Sequence, residues 1–465
     1  MIQSGEGWQA NRQDYEDKKD ALVREFQENL QNISRNKGSF ALNKSTSNLF
    51  RNRKSSQSKK LDVKRLNRVL LIDPRSLTAE VEAMITYEKL VDETLAYHCL
   101  PAVVPQLKTI TVGGALVGLG IESSSFRYGL VHETILEIEI LTGEGNVVVC
   151  RPDNEHRDLF YAFPNSYGTL GYALKVKLQL IPAKQFLRLT HLHFSDPILY
   201  FDKLRELCAE RRSSSYDSYI DGVIFSEHEM AVTLGEFTDE APYTSDYTYM
   251  DVYYRSIQKK KTDFLSTYAY IWRWDADWFW CSKHFGMNHW LLRFVFGKFM
   301  LHSAVYWKIK HLVGTNRVFN RIVSLFEKPS ETVIQDILIP IENAPAFYDF
   351  LRRSIRIVPI WICPFQFYRT DARFPLCPRL DPSVLYLDFG FWDIVPTDKP
   401  KGYFNQLIEK KTQELKGFKS LYSDSFYSEE EFWSIYSKSA FSNLKQKYDP
   451  ESVFKDLYAK CVRRM

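Results

Sequence analysis

The sequence predicts an α+β protein built from two unequal units, and three observations carry that reading. At 465 residues the chain is longer than a single hydrophobic core usually supports, so two domains are expected. From Val69 to Pro182, short apolar strands and one clear helix follow one another as strand, turn, strand, helix, not as repeated βαβ units. From about Gln185 the composition shifts, and residues 216–280 are crowded with aromatics, as in YTYMDVYY and YIWRWDADWFWCSKHF. The expected division is 1–185, then 186–400 with an antiparallel sheet, then C-terminal helices over 401–465.

Each element has a local reason. Between Asp14 and Gln31, Leu22, Phe26 and Leu30 fall four residues apart, which gives one apolar helical face opposite a densely charged one. GSFALNKSTSNLFRNRKSSQSKK starts as a β-like run and becomes a Ser/Thr/Asn loop with six basic residues after Asn43, a composition that by itself suits a linker. Val69 to Ile72 is a buried strand ended by Asp73-Pro74, Thr78 to Ile85 a second strand, Tyr87 to Tyr97 a helix, and Pro101 to Pro105 an extended run. Glu137 to Thr142 and Val147 to Cys150 form a hairpin about Gly143-Glu144-Gly145. Gly168-Thr169-Leu170-Gly171 precedes the clean alternation of Leu174, Val176, Leu178 and Leu180. VIQDILIPI and SVLYLDFGFW read as paired strands, with IRIVPIWICPFQF a third. Ser428 and Glu431 have capping-box spacing, and Asp449-Pro450 separates two helical stretches.

Composition excludes several classes. A net charge of +4, without dense basic residues interleaved with aromatics, argues against nucleic acid. Seven scattered cysteines without a C-x-x-C point to a reducing compartment and to neither disulfides nor zinc, and the ten histidines form no H-E-x-x-H or similar cluster, so no metal is expected. MIQSGEGWQANRQDYEDKKD has no apolar run of the secretory type. HWLLRFVFGKFMLHSAVYWKIKHLV (289–313) mixes aromatics with Arg293, Lys298, Lys308 and Lys310. It contains no uncharged run long enough to span a bilayer, so it suits either a membrane-surface helix or a buried helix pair.

The chain is organised around TITVGGALVGLGIESSSFRYG (109–129). Gly113, Gly114, Gly118 and Gly120 let backbone approach a flat or anionic ligand, although a glycine-rich strand-turn in a packed core reads the same way. Ser123 replaces the last glycine of G-x-G-x-x-G and no clear helix-forming stretch follows, which excludes a Rossmann site. This stretch, with LEIEILTGEGNVVVC and DLFYAFPNSYGTLGYALKVKLQLIPAK, resembles the flavin-binding core of the vanillyl-alcohol oxidase/p-cresol methylhydroxylase (PCMH-type) superfamily. GIESSS and Trp361-Ile362-Cys363-Pro364-Phe365 resemble its Δ24-sterol reductase (Diminuto/Seladin) branch, which also has bacterial methylene-fatty-acyl reductases as relatives. The likeness runs from about Lys44 to Arg464.

The resemblance implies a two-subdomain FAD-binding domain under an α+β cap. It places Lys44, Ser45, Thr46, Ser47 and Asn48 in the pyrophosphate loop. It also puts Thr111, Val112, Gly113, Gly114, Gly118, Gly120, Ile121, Glu122, Ser123, Ser124, Gly168, Thr169, Gly171 and Lys447 at the cofactor. Lys447-Tyr448-Asp449-Pro450 with Phe454 resembles the signature by which such chains return to the flavin domain. No histidine lies in the Lys44–Asn48 loop, so the FAD is expected to be non-covalent. Sterol reductases of this branch carry an N-terminal membrane anchor, from which the present N-terminal sequence departs.

The implied chemistry is reduction of an isolated C=C bond in an apolar lipid, sterol or methylene-branched acyl chain, with NADPH as reductant. Such an alkene has no carbonyl to polarise it, so an acid must protonate one carbon before hydride reaches the other. Candidates for that acid are Tyr422, Tyr386, Glu122 and Asp388, each equally open to a structural role. Cys363 is expected to line the pocket. The rival readings are a flavin oxidase of an alcohol or sugar and a lipid-binding protein without turnover.

Overall fold

The computed structural model describes residues 5–47, 50–51, 58–214, 218–277, 280, 289–301, 305 and 329–464. Two sheets dominate. The first contains β3 (Val69–Asp73), β4 (Thr78–Glu82), β5 (Cys99–Pro101), β6 (Ile135–Leu141), β7 (Val147–Cys150) and β8 (Tyr172–Pro182). Its order is β3-β4-β8-β6-β7, with β5 pairing the far end of β8, and every pairing is antiparallel. β1 (Phe40–Asn43) and β2 (Lys59–Asp62) form a separate parallel pair. The β6–β7 hairpin turns where the sequence placed it, with Gly145 at φ +81°.

The second sheet is wholly antiparallel and has eight strands: β9 (Phe186–Phe194), β10 (Ser218–Ser226), β11 (Glu229–Thr238), β12 (Thr262–Ser266), β13 (Ser330–Pro340), β14 (Ile360–Phe365), β15 (Tyr386–Pro396) and β16 (Phe418–Lys419). VIQDILIPI and SVLYLDFGFW are indeed neighbours, β13 and β15, with Ile337 opposite Phe389. The aromatic segment concealed β10 and β11, because two-sided burial removes the polar alternation by which a strand is recognised. Helices Pro197–Arg212 and Ala344–Phe350 cover one face of this sheet, burying Phe201, Leu204 and Phe347 against Ile220, Ile337 and Phe389.

The first helix runs Gly5–Arg35, longer than its apolar repeat. Tyr15, Leu22 and Phe26 are buried against Leu61, Leu141, Leu174 and Phe454, and Phe26 stacks on Phe40 at 4.1 Å. A Phe taken from water to full burial contributes roughly 2–3 kcal/mol, so this face holds the helix despite its charged exterior.

The glycine stretch differs from the strand-turn expectation. Val112–Gly118 is a helix, capped where the Thr111 hydroxyl oxygen accepts from the Gly114 N–H at 3.2 Å. The left-handed residue that ends it is Leu119, φ +59°, not a glycine. Glycines enter this helix because the backbone is crowded: a Cβ on Gly113 would stand 2.9 Å from the Ala83 carbonyl oxygen.

Near the other end of the sequence, helices Glu429–Tyr436 and Lys438–Tyr448 lead the chain back to the first sheet. The Ser428–Glu431 capping box is formed. The Gly143 N–H donates to the Tyr448 carbonyl at 2.8 Å, and a Cβ on Gly143 would collide with the Asp449 carboxylate.

Candidate flavin and substrate site

Helix Val112–Gly118 separates two cavities that share Lys44, Gly114, Val117 and Tyr167 in their walls. The first, with about 1200 Å³ of empty space, lies between the glycine stretch and β13/β15. Thr111, Gly114, Gly118, Gly120 and Ile121 line one side, and Thr46 and Ser47 the loop side. Asp336, Leu338, Asp388, Trp392 and Tyr422 line the opposite side. The second, with about 1040 Å³, runs under the helix between Gly113, Gly168 and Gly171 and four cations, Lys44, Arg51, Lys455 and Lys460.

The second cavity is built for an anion. Arg51 is 5% exposed; its Nη1 donates to the Leu421 carbonyl, while Nε and Nη2 are buried with no partner among the described residues. Unpaired guanidinium donors beside lysines match a pyrophosphate. Gly171 needs to be glycine, because at φ +143° a Cβ would stand 2.6 Å from Ile140 and 2.8 Å from the Leu141 carbonyl. Flat glycine backbone and apolar side chains in the first cavity suit a ring system. The residues present therefore fit FAD, whose hydride chemistry at a flavin ring is what the group would supply.

Several sequence candidates lie elsewhere. Glu122 and Ser123 turn away from the cleft: Arg273 Nη2 donates to Glu122 Oε1 at 2.9 Å and to Asp221 Oδ2 of β10 at 2.9 Å, with the guanidinium fully buried. Trp361 Nε1 also donates to Asp221 Oδ2, at 3.2 Å. That cluster ties the glycine stretch to the second sheet and is structural. The Ser124 hydroxyl donates to the Ala102 carbonyl, the Thr169 hydroxyl to the Ser166 carbonyl, and Val112 is core. Ser45 is absent from both linings, and Asn48 lies outside the described residues. Lys447 pairs with Asp158 at 2.7 Å on the surface, because the neighbouring Tyr448 hydroxyl is drawn to the same carboxylate. The cavity cations are instead Arg51, Lys455 and Lys460. The Tyr386 hydroxyl accepts from the Asp381 N–H at 2.9 Å, outside the cleft. Cys363 faces Asp388 across β14–β15 but is fully buried beyond the lining.

Of the nominated acids, Tyr422 and Asp388 remain at the cleft. Trp392 Nε1 donates to the Tyr422 hydroxyl at 3.0 Å, and that hydroxyl bonds Asp336. Asp336 is not among the sequence candidates, and only the β13–β15 pairing brings it beside Asp388. Burial raises both carboxyls, Asp336 to about 7 and Asp388 well above the carboxylate range, where Asp336 adds a like charge.

Residues 23–151 match the family described as "FAD binding domain". The chain is 26% identical to the Δ24-sterol reductase of Homo sapiens over 85% of its own length and 76% of that protein's. It is 24% identical to the Pisum sativum Δ24-sterol reductase over 87% and 76%. A 154-residue stretch is 30% identical to cytokinin dehydrogenase 6 of Oryza sativa subsp. japonica, covering 33% of this chain and 28% of that one. The protein is an FAD-dependent oxidoreductase with a PCMH-type FAD-binding domain. Its particular likeness, extending across both sheets, is to the Δ24-sterol reductases.

Proposed function

We propose that this chain reduces an isolated C=C bond of a sterol, using non-covalent FAD and NADPH as reductant. The observation that carries the reading is the cleft itself, in which a flat glycine-rich wall stands across from buried acids within mostly apolar surroundings. A phenol or sugar oxidase needs a base for its hydroxyl; carboxyls whose hold on a proton is strengthened by burial suit proton delivery. Thr46, Ser47, Thr111, Gly114, Gly118, Gly120 and Ile121 form the ring side of the flavin site, and Lys44, Gly113, Gly168 and Gly171 with Arg51, Lys455 and Lys460 its phosphate side. The flavin domain ends near residue 185, and residues 401–465 return to complete it. Methylene-branched acyl chains present the same alkene chemistry and are the second substrate class to test.

The substrate reaches the cleft from a membrane surface. Trp290, Leu291, Leu292, Phe294 and Val295 on the helix beginning at Trp290 are all exposed, Trp290 by 65% and Phe294 by 61%. Such a patch supports docking at the headgroup boundary. Arg293 is not part of it: that side chain is buried, bidentate to Asp277 at 2.7 and 3.1 Å. Lys308, Lys310, Tyr306 and Trp307 lie outside the described residues, as do the side chains of Phe296, Lys298 and Phe299. No helix among the described residues is long and apolar enough to cross a membrane. A reducing, cytoplasmic setting fits the six cysteines among the described residues, all free and buried.

The test is anaerobic stopped-flow. NADPH should bleach the purified yellow protein, and a Δ24-unsaturated sterol should restore the oxidised spectrum with formation of the saturated product. Bleaching by alcohols without NADPH, and no recovery with sterol or methylene-acyl lipid, would establish the oxidase instead.

A further inference from the structure

The cleft floor holds two carboxyls, Asp336 and Asp388, with no counter-ion among the described residues. Asp336 lies opposite Gly390 and Asp388 opposite Leu338 in the β13–β15 register, so the two acids are diagonal neighbours on one sheet face. Gly390 makes the pairing possible, since a Cβ there would stand 3.2 Å from Asp336 Oδ1. Asp388 is 1% exposed, and among the described residues neither of its oxygens has a hydrogen-bond partner, nor does Asp336 Oδ1. Asp336 is the more open of the two and lines the cleft beside Tyr422.

Two charged carboxylates this close, desolvated and without a cation, cannot coexist, so the pair retains at least one proton. The titratable groups facing it are Tyr422 from the loop after β16 and Cys363 on β14, both with pKa values raised by burial. Among the described residues no cation acts on either acid. A purely structural pair would be expected to spend its oxygens on backbone N–H groups, as Glu133 does with Leu130 and Tyr368.

We propose that Asp336 is the acid that protonates the substrate alkene, and that Asp388 behind it stays protonated, so that no second carboxylate opposes the charge left on Asp336. This rests on the alkene-reductase reading and supplies the donor that reading lacks. The Asp336 O–H bond breaks as a C–H bond forms at the less substituted alkene carbon. The hydride that saturates the other carbon comes from reduced FAD, previously reduced by NADPH. The alkene thus gains one proton and one hydride, FAD is reoxidised, and the Asp336 carboxylate left behind is reprotonated by water entering the cleft. The Tyr422 hydroxyl, which accepts from Trp392 and bonds Asp336, is a positioning residue that aims the acid.

The test uses the holoprotein and separates its two half-reactions. For Asp336→Asn, flavin content and the rate of bleaching by NADPH should match wild type, while alkene-dependent reoxidation falls at least about 100-fold, the usual share of a general acid. In wild type, that second step should slow as pH rises through about 7, where the Asp336 carboxyl loses its proton. Independently of any variant, infrared spectra near pH 6 should show a protonated-carboxyl C=O band that shifts in D2O and disappears in Asp336→Asn/Asp388→Asn. A wild type that reoxidises with sterol alongside an Asp336→Asn variant within about 5-fold overturns the donor alone. Absence of the infrared band in wild type also overturns it. A wild type whose reduced flavin no alkene lipid reoxidises overturns the function reading, and the donor role with it.

Discussion

The two walls of the cleft are made differently. The wall formed by residues 109–121 presents backbone: glycines, a short capped helix and a left-handed Leu119. The wall formed by β13 and β15 presents side chains, with alternate residues Asp336, Leu338, Asp388 and Trp392 aimed inward. The first wall can receive a flat cofactor because little projects from it. The second can hold a proton because its strands are flanked on both sides and keep water away. On the proposed reading binding and chemistry fall to different walls, and the buried Arg273 cluster is one joint between the glycine stretch and the second sheet.

The comparison can be broken most severely at that joint. Arg273→Leu leaves Glu122 and Asp221 buried without their cation, so a loss of about 3–5 kcal/mol, or failure to fold, is expected in denaturant unfolding. Unchanged stability would mean the walls are held together by other contacts. Next in size is the pH response of the second wall. The folded-state value of Asp336 is raised above the unfolded one, so its contribution to stability is present at low pH and is lost as pH climbs from about 4 to about 7. Asp336→Asn should flatten the stability curve across that window; a curve parallel to wild type would place the titration elsewhere.

The glycines of the first wall split into two kinds. A Cβ on Gly120 would meet Val131 at 2.9 Å, Ala115 at 3.0 Å and Pro105 at 3.1 Å, whereas one on Gly114 would meet only the Thr111 hydroxyl. Neither sits at positive φ. Gly120→Val is therefore expected to cost about 1–3 kcal/mol of stability through overpacking. Gly114→Val should spare the apoprotein's melting temperature and lower flavin occupancy; equal melting losses in both would remove the distinction. The smallest effect belongs to the surface: Trp290→Ser/Phe294→Ser should reduce co-sedimentation with anionic liposomes several-fold without touching flavin content. Binding that stays at wild-type level would locate docking in another segment.

Legibility in the sequence follows the same division. The first sheet and its hairpin were readable because periodicity and turn residues are local signals, whereas the composition of the loop from Lys44 suits a linker and only the family resemblance pointed to a site there. Glu122 looked catalytic by proximity to the glycines, yet its partner Arg273 lies in the aromatic segment, where no pattern marks it. Arg51, Lys455 and Lys460 meet only through the return of the chain, and Asp336 meets Asp388 only through strand register. Local chemistry can be read along the chain; convergence across it cannot.

That return has a consequence for how the protein is made. The basic cavity takes Lys44 and Arg51 from one side and Lys455 and Lys460 from the other, with Cys461 against Arg51 at 3.0 Å. Its second side emerges from the ribosome roughly 400 residues after the first, an interval of roughly 20 to 80 s at usual elongation rates. During that time the first sheet can fold but has no closed pocket in which to retain a dinucleotide. A dinucleotide held in this cavity is therefore expected to be retained only once Lys455 and Lys460 have been synthesised and have closed it.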